Sequence, residues 1–387
     1  MSETSLKAFR DFAALHDPPT PFVAIDLDVV ALRYRELTAA FPAATSYYAV
    51  KANPHPEVIA TLRDLGSSFD VASRGEIELC LGLGVEPSRI SFGNTIKKHE
   101  DIAFAAAHGI KLYAFDSEAE LRKIADAAPG ATVACRILVS SEGAQWPLSR
   151  KFGCDVTMAV DLLVLAAELG LTPCGVSFHV GSQQLRPESW DAGVESAAAI
   201  FAEARQRGVE LSTVNLGGGL PANYGPEVPA LEEYAKRIHE SIANRFADRP
   251  VDIVLEPGRF IAGDAGVLRS RVLLISKKSY NAHERWVYLD IGRFGGLAET
   301  EGEAIEYPLV CENDTGAEVG PVILAGPTCD SADILYERKP RYLSLDLRIG
   351  DYIDFLGCGA YTSTYASVGF NGIPPVATYC YRGADLA

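Results

Sequence analysis

The sequence lacks the cysteine and histidine spacings that would mark a metal centre or a disulfide framework. Its eight cysteines, at 80, 135, 154, 174, 311, 329, 358 and 380, include no CxxC pair, and the seven histidines are equally scattered. By spacing they read as the reduced thiols of an intracellular protein, mostly small buried hydrophobes, and no metal is expected. Long apolar runs are missing too. None approaches the ~18 residues of a membrane helix, and the opening Met-Ser-Glu-Thr-Ser-Leu-Lys has no apolar signal core. A cytoplasmic location is the expectation. Positive charge is also scarce, with 35 Lys and Arg against 51 Asp and Glu, a formal net charge of −16. Such a field repels nucleic acid and anionic lipid, so neither is expected as a partner, whereas a cationic small molecule suits it. Apolar residues are not short. Of the 387 residues 48% are hydrophobic, enough for a large core, which excludes a disordered chain or a disulfide-stapled miniprotein.

What the sequence does contain is a regular alternation. Short β-rich runs fall at 46–50, 68–71, 90–92, 111–115, 132–137, 175–180, 213–216 and 252–255, and helical patterns lie between them. Eight strand–helix alternations in so short a stretch predict a (β/α)8 barrel of the TIM type, a fold of about 250 residues. The competing doubly wound sheet would carry a glycine fingerprint after its first strand. Tyr47-Tyr48-Ala49-Val50-Lys51-Ala52-Asn53 has none. Beyond about residue 265 the pattern changes to short β-like runs at 267–275, 285–289, 322–324, 342–347 and 352–355, with Gly and Pro between them. The expected plan is an α/β barrel over 27–265, with 1–26 and 266–387 forming an antiparallel β-rich domain.

Barrel enzymes place their chemistry at the C-terminal ends of the strands. Those positions hold Lys51, Asp70, Asn94, Asp116, Arg136, His179, the run Gly217-Gly218-Gly219, and Glu256. Each has a plain explanation alone: strand ends meet solvent, a lone histidine is commonly a hydrogen-bonded core residue, and glycine triplets are commonly turns. A whole set converging on one barrel mouth is much harder to dismiss. The glycine run follows a strand and lets backbone N–H groups approach an anion, and Glu256-Pro257-Gly258-Arg259 sets an acid beside a guanidinium. A phosphate cradle, a nearby acid and a lysine after the first strand call for a phosphorylated cofactor that forms a Schiff base. Pyridoxal phosphate fits, with Glu256 keeping its ring nitrogen protonated and His179 against one ring face.

With these residues in view, the sequence resembles the fold-type III pyridoxal-phosphate decarboxylases of basic amino acids, most of all the bacterial ornithine and lysine/ornithine members. The likeness runs from Thr20-Pro21-Phe22 to Phe370-Asn371-Gly372. Its motifs are Tyr48-Ala49-Val50-Lys51-Ala52-Asn53, Phe69-Asp70-Val71-Ala72-Ser73, Phe178-His179-Val180-Gly181-Ser182, Gly217-Gly218-Gly219, Glu256-Pro257-Gly258-Arg259, Gly326-Pro327-Thr328-Cys329-Asp330 and Gly359-Ala360-Tyr361-Thr362.

The resemblance implies that Lys51 holds the cofactor covalently, and that Ser182, Gly217, Gly218, Gly219, Arg259 and Tyr361 bind its phosphate. It further implies that Glu256 partners the ring nitrogen, that His179 stacks on the ring, and that Asp70 and Arg136 lie close by. Cys329 resembles the acid that returns a proton to Cα, and Asp330 the carboxylate that receives the distal ammonium, with Phe370 beside the substrate. In the family that pair comes from the neighbouring subunit, so a homodimer with shared sites is implied, and Lys151 and Asp333 match an interface pair.

Asp330 stands where diaminopimelate decarboxylases carry a glutamate, which favours ornithine, with lysine as a further substrate; diaminopimelate or another basic amino acid is the alternative. The sequence departs from the animal ornithine enzymes at Ile291, where they have an aspartate, leaving Asp290 and Glu299 as candidates for a second contact to the distal amine. Three rivals remain on the sequence. A racemase needs two opposed bases, which the Cys329-Asp330 motif does not suggest. A noncatalytic regulatory homologue would not be expected to keep Lys51, Glu256, Arg259 and Cys329. A cofactor-free Schiff-base aldolase leaves the phosphate cradle unexplained.

Overall fold

The computed structural model describes residues 3–147, 151–225, 227–311, 316 and 318–387. The chain forms two compact units. One comprises Met1–Leu32, Ala222–Pro226 and Ile261–Ala387, the other Arg33–Pro221 and Glu227–Phe260.

The second unit is a closed barrel of eight parallel strands, as the alternation predicts. In order around the barrel these are Ala44–Ala49, Ser68–Val71, Ile90–Phe92, Leu112–Phe115, Thr132–Arg136, Thr172–Ser177, Thr213–Asn215 and Asp252–Leu255. The last closes on the first in the register Ile253↔Ala44 to Leu255↔Ser46. Amphipathic helices make the outer layer. In Glu118–Ala127, for example, Leu121 and Ile124 are buried while Glu118 and Arg122 pair on the surface. The helix Val156–Glu168 is started by Asp155, whose carboxylate accepts the Met158 N–H at 2.9 Å, a cap of the kind worth about 1 kcal/mol. Gly175 is required by the barrel itself, because a Cβ there would collide with the Thr213 carbonyl of the adjacent strand.

Two boundaries differ from the periodicity in a way that matters for the site. The sixth barrel strand runs Thr172–Ser177 rather than 175–180, with Pro173 absorbed by a register shift against Val133 and Ala134. Phe178-His179-Val180 therefore lies past the strand end. Ser182–Gln184 then forms a two-stranded ribbon with Ala144–Trp146, which the apolar pattern did not signal.

The first unit holds a nine-stranded sheet. Its main path runs Arg341–Ser344, Val319–Ala325, Arg285–Leu289, Gly266–Ser276, Phe22–Asp26, Ala377–Arg382 and Asp385–Leu386, while Tyr352–Leu356 pairs with both Gly266–Ser276 and Leu309–Cys311. This sheet is mixed, which corrects the expectation of an antiparallel one. Phe22–Asp26 runs parallel to Ala377–Arg382, and Arg285–Leu289 parallel to Val319–Ala325. Both pairs join strands far apart in sequence, so no hairpin imposes antiparallel pairing. The helix Glu3–His16, also unsignalled, packs Phe9, Phe12 and Ala13 onto Phe22, Val267 and Tyr381. No helix among the described residues is long and apolar enough to cross a membrane.

The sheet of this unit also buries a charge pair. Arg269 Nε and Nη2 donate to Asp354 Oδ1 and Oδ2 at 2.8 and 2.9 Å, and the guanidinium lies near the rings of Phe9 and Tyr352. Removing one partner strands the other charge. Asp354→Ala should destabilise this unit by about 3–5 kcal/mol, read from urea unfolding. A loss below about 1 kcal/mol would show that the pair does not hold the sheet.

Candidate active site

Barrel closure sets the first elements of the site side by side. Lys51 sits on a single 3-10 turn, Val50–Ala52, directly after the first strand. The Ala49 N–H donates to the Pro257 carbonyl at 2.9 Å, which ties that turn to the end of the last strand. Lys51 Nζ lies 3.2 Å from Asp70 Oδ2, with the lysine half exposed and the aspartate buried. The other carboxylate oxygen, Asp70 Oδ1, is buried without a hydrogen-bond partner.

Glu256 follows the last strand. Its Oε1 accepts Asn215 Nδ2 at 2.6 Å, and Asn215 Oδ1 accepts the Gly217 N–H at 2.9 Å. Burial pushes the Glu256 carboxyl up to about 7 and the charge on Asp70 adds to this, against the pull of Lys51, the Asn215 hydrogen bond and Arg136. His179 moves the other way. Burial, then Arg136 and Lys51, push its imidazole down to about 3, so the ring is neutral near pH 7. Its Nδ1 accepts the Gly181 N–H at 3.0 Å, which leaves the ring proton on Nε2. Burial lowers Arg136 from its usual range, with Glu256 and Asp70 opposing.

The residues expected to cradle an anion are assembled from three loops. Arg259 Nε donates to Ser182 Oγ at 3.0 Å, both side chains being buried. The Gln184 N–H donates to the Gly219 carbonyl at 3.0 Å and fixes the glycine run beside the ribbon. Gly217 has φ +67°, and a Cβ on Gly218 would lie 2.7 Å from the Glu256 carbonyl and 3.1 Å from His179 Nε2. Side chains are therefore excluded from this stretch of backbone by Glu256 and His179.

In the β-rich unit Cys329, Asp330, Phe370 and Asp290 form a second cluster, and Tyr361 lies in the same unit. Cys329 and Asp330 are exposed on one loop. Asn371, at φ 53°, clamps it: its Oδ1 accepts the Cys329 N–H at 3.0 Å and its Nδ2 lies 3.4 Å from Cys329 Sγ. Phe370 and Asp290 line one cavity with Thr328 and Phe294. Tyr361 stands at φ 56°, an uncommon conformation for a tyrosine.

Several nominated residues have local work. Asn94 Nδ2 donates to the Ala72 carbonyl at 3.2 Å, and Asp116 Oδ2 accepts the Gly153 N–H at 2.8 Å. Asp290 Oδ1 accepts Ser270 Oγ and the Arg271 N–H, while Ile291 and Glu299 are buried. Asp333 is buried too, its oxygens accepting the Arg293 N–H at 2.8 Å and Thr328 Oγ1 at 2.7 Å, so it braces its own loop. Lys151 Nζ lies 4.9 Å from the Phe152 ring. The sequence reading passed over Asn215, Asn371 and Glu76. Glu76 was detectable, since Ser73-x-x-Glu76 is a capping-box spacing, and its carboxylate takes the Ala72 N–H at 2.6 Å. The two asparagines carried no signal beyond adjacency to motifs.

Fold and cluster together define a class, a parallel barrel that binds a phosphorylated cofactor at the C-terminal ends of its strands. The family described as "Pyridoxal-dependent decarboxylase, pyridoxal binding domain" matches residues 27–263. Among curated proteins the chain is 35% identical, over 92% of its length and 88% of the relative's, to a lysine/ornithine decarboxylase of Selenomonas ruminantium. Among solved structures it is similar to the arginine decarboxylase of Paramecium bursaria Chlorella virus, with TM-score 0.88, 30% identity and coverage of 97% and 100%. It is similar also to a lysine/ornithine decarboxylase of Vibrio vulnificus complexed with putrescine, with TM-score 0.86, 30% identity and 99% of each chain covered. The chain belongs to this family of pyridoxal-dependent decarboxylases. Its cofactor is pyridoxal phosphate, and the unpartnered Asp70 oxygen and the side-chain-free cradle fit such a group.

A raised Glu256 fixes the sign of one pH effect. The folded chain binds this proton more tightly than the unfolded one, so the cofactor-free protein should lose stability as pH rises from about 4.5 through about 7. Glu256→Gln should flatten that part of the profile, measured as denaturation midpoints at pH 5 and 7.5. An unchanged slope would locate the titrating group elsewhere.

Proposed function

We propose that this protein decarboxylates L-ornithine to putrescine and carbon dioxide, with L-lysine to cadaverine as a second reaction, as a step in making polyamines. The observation that carries this reading is the exposed Asp330 carboxylate beside Cys329, on a loop braced by Asn371 and Asp333. A carboxylate there suits a cationic chain end, and the acidic chain as a whole favours such substrates. Supporting it are relatives that act on lysine and ornithine. The viral arginine decarboxylase argues for including arginine in any test.

In this reading Lys51 Nζ would hold the cofactor covalently, and Ser182, Arg259, Tyr361 and the run Gly217, Gly218, Gly219 would hold its phosphate. Pyridoxal phosphate, when bound, supplies an electron sink for the pair left on Cα as carbon dioxide departs. Glu256 keeps a proton at the ring nitrogen, which a carboxyl already raised by burial can share. Neutral His179 offers a flat, uncharged face against the ring, and Arg136 offsets negative charge nearby. Cys329 Sγ then hands its proton to Cα, and Asp330 holds the distal ammonium. Phe370 and Asp290 bound the side of the pocket.

The two clusters lie on different units, and Cys329 and Asp330 are exposed in the single chain. These facts support a homodimer in which each site takes its barrel residues from one protomer and its Cys329-Asp330 loop from the partner. One methylene separates ornithine from lysine and is worth about 1–3 kcal/mol in a pocket, so a modest preference is expected.

Two measurements test the proposal. Carbon dioxide release from ornithine, lysine, arginine and diaminopimelate, with the product amine identified, should rank ornithine first and lysine second. Release from arginine or diaminopimelate alone would overturn the substrate assignment, and Lys51→Ala should abolish both turnover and the visible absorbance of bound cofactor. Mixing inactive Lys51→Ala and Cys329→Ala chains should restore about a quarter of wild-type activity, because half the dimers are mixed and each has one intact site. Absence of recovery after proven subunit exchange refutes sharing.

A further inference from the structure

The chemistry above leaves the barrel interior unused, and that interior is unusual. Parallel barrels normally fill it with layers of Val, Ile and Leu. Here Thr45, Ser91, Ala134, Ser177, Thr213 and Asn215 line a cavity of about 300 Å³, to which Leu112 and Val254 contribute the branched aliphatic wall. The burial pattern along the strands is inverted to match. In Thr213–Asn215 the outward Val214 is buried under the helices, whereas inward Thr213 and Asn215 are partly exposed. Inward Thr45 is exposed as well, although its strand lies between two others.

The cavity has two ends. Glu256 and Asn215 border it at the C-terminal end of the barrel, and exposed Lys111 and Asp252 border it at the other. Asp252 and Glu256 are four residues apart on one extended segment, so the passage is about 13 Å long. A polar cavity of this size has room for a file of waters, with hydroxyls and carbonyls as partners. Glu256 thus stands between two compartments. Above it are Lys51, Asp70 and Arg136, whose charges act on it. Below it is the cavity, whose walls add Tyr47, Tyr113 and Cys174 as titratable groups to the Lys111 and Asp252 of its floor.

We propose that this cavity is a water-filled duct through which the Glu256 carboxyl exchanges its proton with solvent at the N-terminal end of the barrel. The proposal rests on the reading of Glu256 as the acid that faces the cofactor. It gives that carboxyl a supply of protons that does not cross the space where the substrate sits. Solvent can then be kept away from Cα while Glu256 stays in equilibrium with bulk water.

The first test is a high-resolution crystal structure of the holoenzyme, in which a continuous file of waters from Asp252 to Glu256 is expected. A dry or interrupted cavity overturns the proposal. The second uses the holoenzyme without substrate, so that water does not fill the cofactor's place and Glu256 is read without turnover. Its carboxyl band, identified by its loss in Glu256→Gln, is followed by infrared spectroscopy after a pH jump from 6 to 8. The band should respond at least tenfold more slowly in Ala134→Leu, which plugs the duct, and at the wild-type rate in Ala134→Ser, which leaves room for water. Equal rates in all three chains overturn the duct while leaving the decarboxylase reading intact. That reading fails separately, if Lys51→Ala keeps its activity and absorbance.

Discussion

Closure of the barrel is the constraint on which the rest of the site depends. The first and last strands are separated by about two hundred residues of chain, yet the pairing of Ile253 with Ala44 and the bond from Ala49 N–H to the Pro257 carbonyl bring their ends into contact. Lys51 and Glu256 follow directly on those two strands. The lysine and the acid that the proposed function assigns to the cofactor are therefore positioned by main-chain hydrogen bonds, without any long side chain having to reach across a gap. Gly175 shows how little slack the closure allows, since one added carbon would meet the neighbouring strand.

Once the strand ends converge, charges must share a small volume, and their balance sets the protonation states. Glu256 is raised chiefly by burial and His179 is lowered chiefly by burial, so one environment keeps an acid protonated and a base neutral. Lys51 and Arg136 stand against Asp70 and Glu256 in the same cluster. Asn215 joins this balance to the anion cradle, because it donates to Glu256 and accepts from the Gly217 N–H. A change at the acid would thus be felt at the glycine run.

Much of this was legible in the sequence because the barrel writes itself as a repeat. The runs at 68–71, 90–92 and 252–255 coincide with the strands observed. The polar residues that follow those runs mark the mouth without any knowledge of packing. What was not legible is what depends on partners distant in sequence. The parallel pairing of Phe22–Asp26 with Ala377–Arg382 leaves no local pattern, since each strand reads the same whichever way its neighbour runs. Asn94 and Asp116 sit where functional residues would, yet they hold loops, a distinction set by which backbone group lies in reach. The sixth strand begins at Thr172 and ends at Ser177, with a register shift next to Pro173, so His179 lies in the loop that follows, and no local apolar pattern marks either end.

The division of labour between the units has a physical logic. Cofactor chemistry needs fixed charges in a buried setting, and the barrel supplies these from strand ends held in register. Substrate recognition needs a loop whose side chains can differ without disturbing those charges, and the proposed function gives that task to the Cys329-Asp330 loop. Its backbone is held by Asn371, by the buried Asp333 carboxylate and by Asp330 itself, whose Oδ1 accepts the Ala332 N–H at 2.8 Å. Relatives named for lysine, ornithine or arginine share this one fold, so the amino acid is harder to read from the chain than the family.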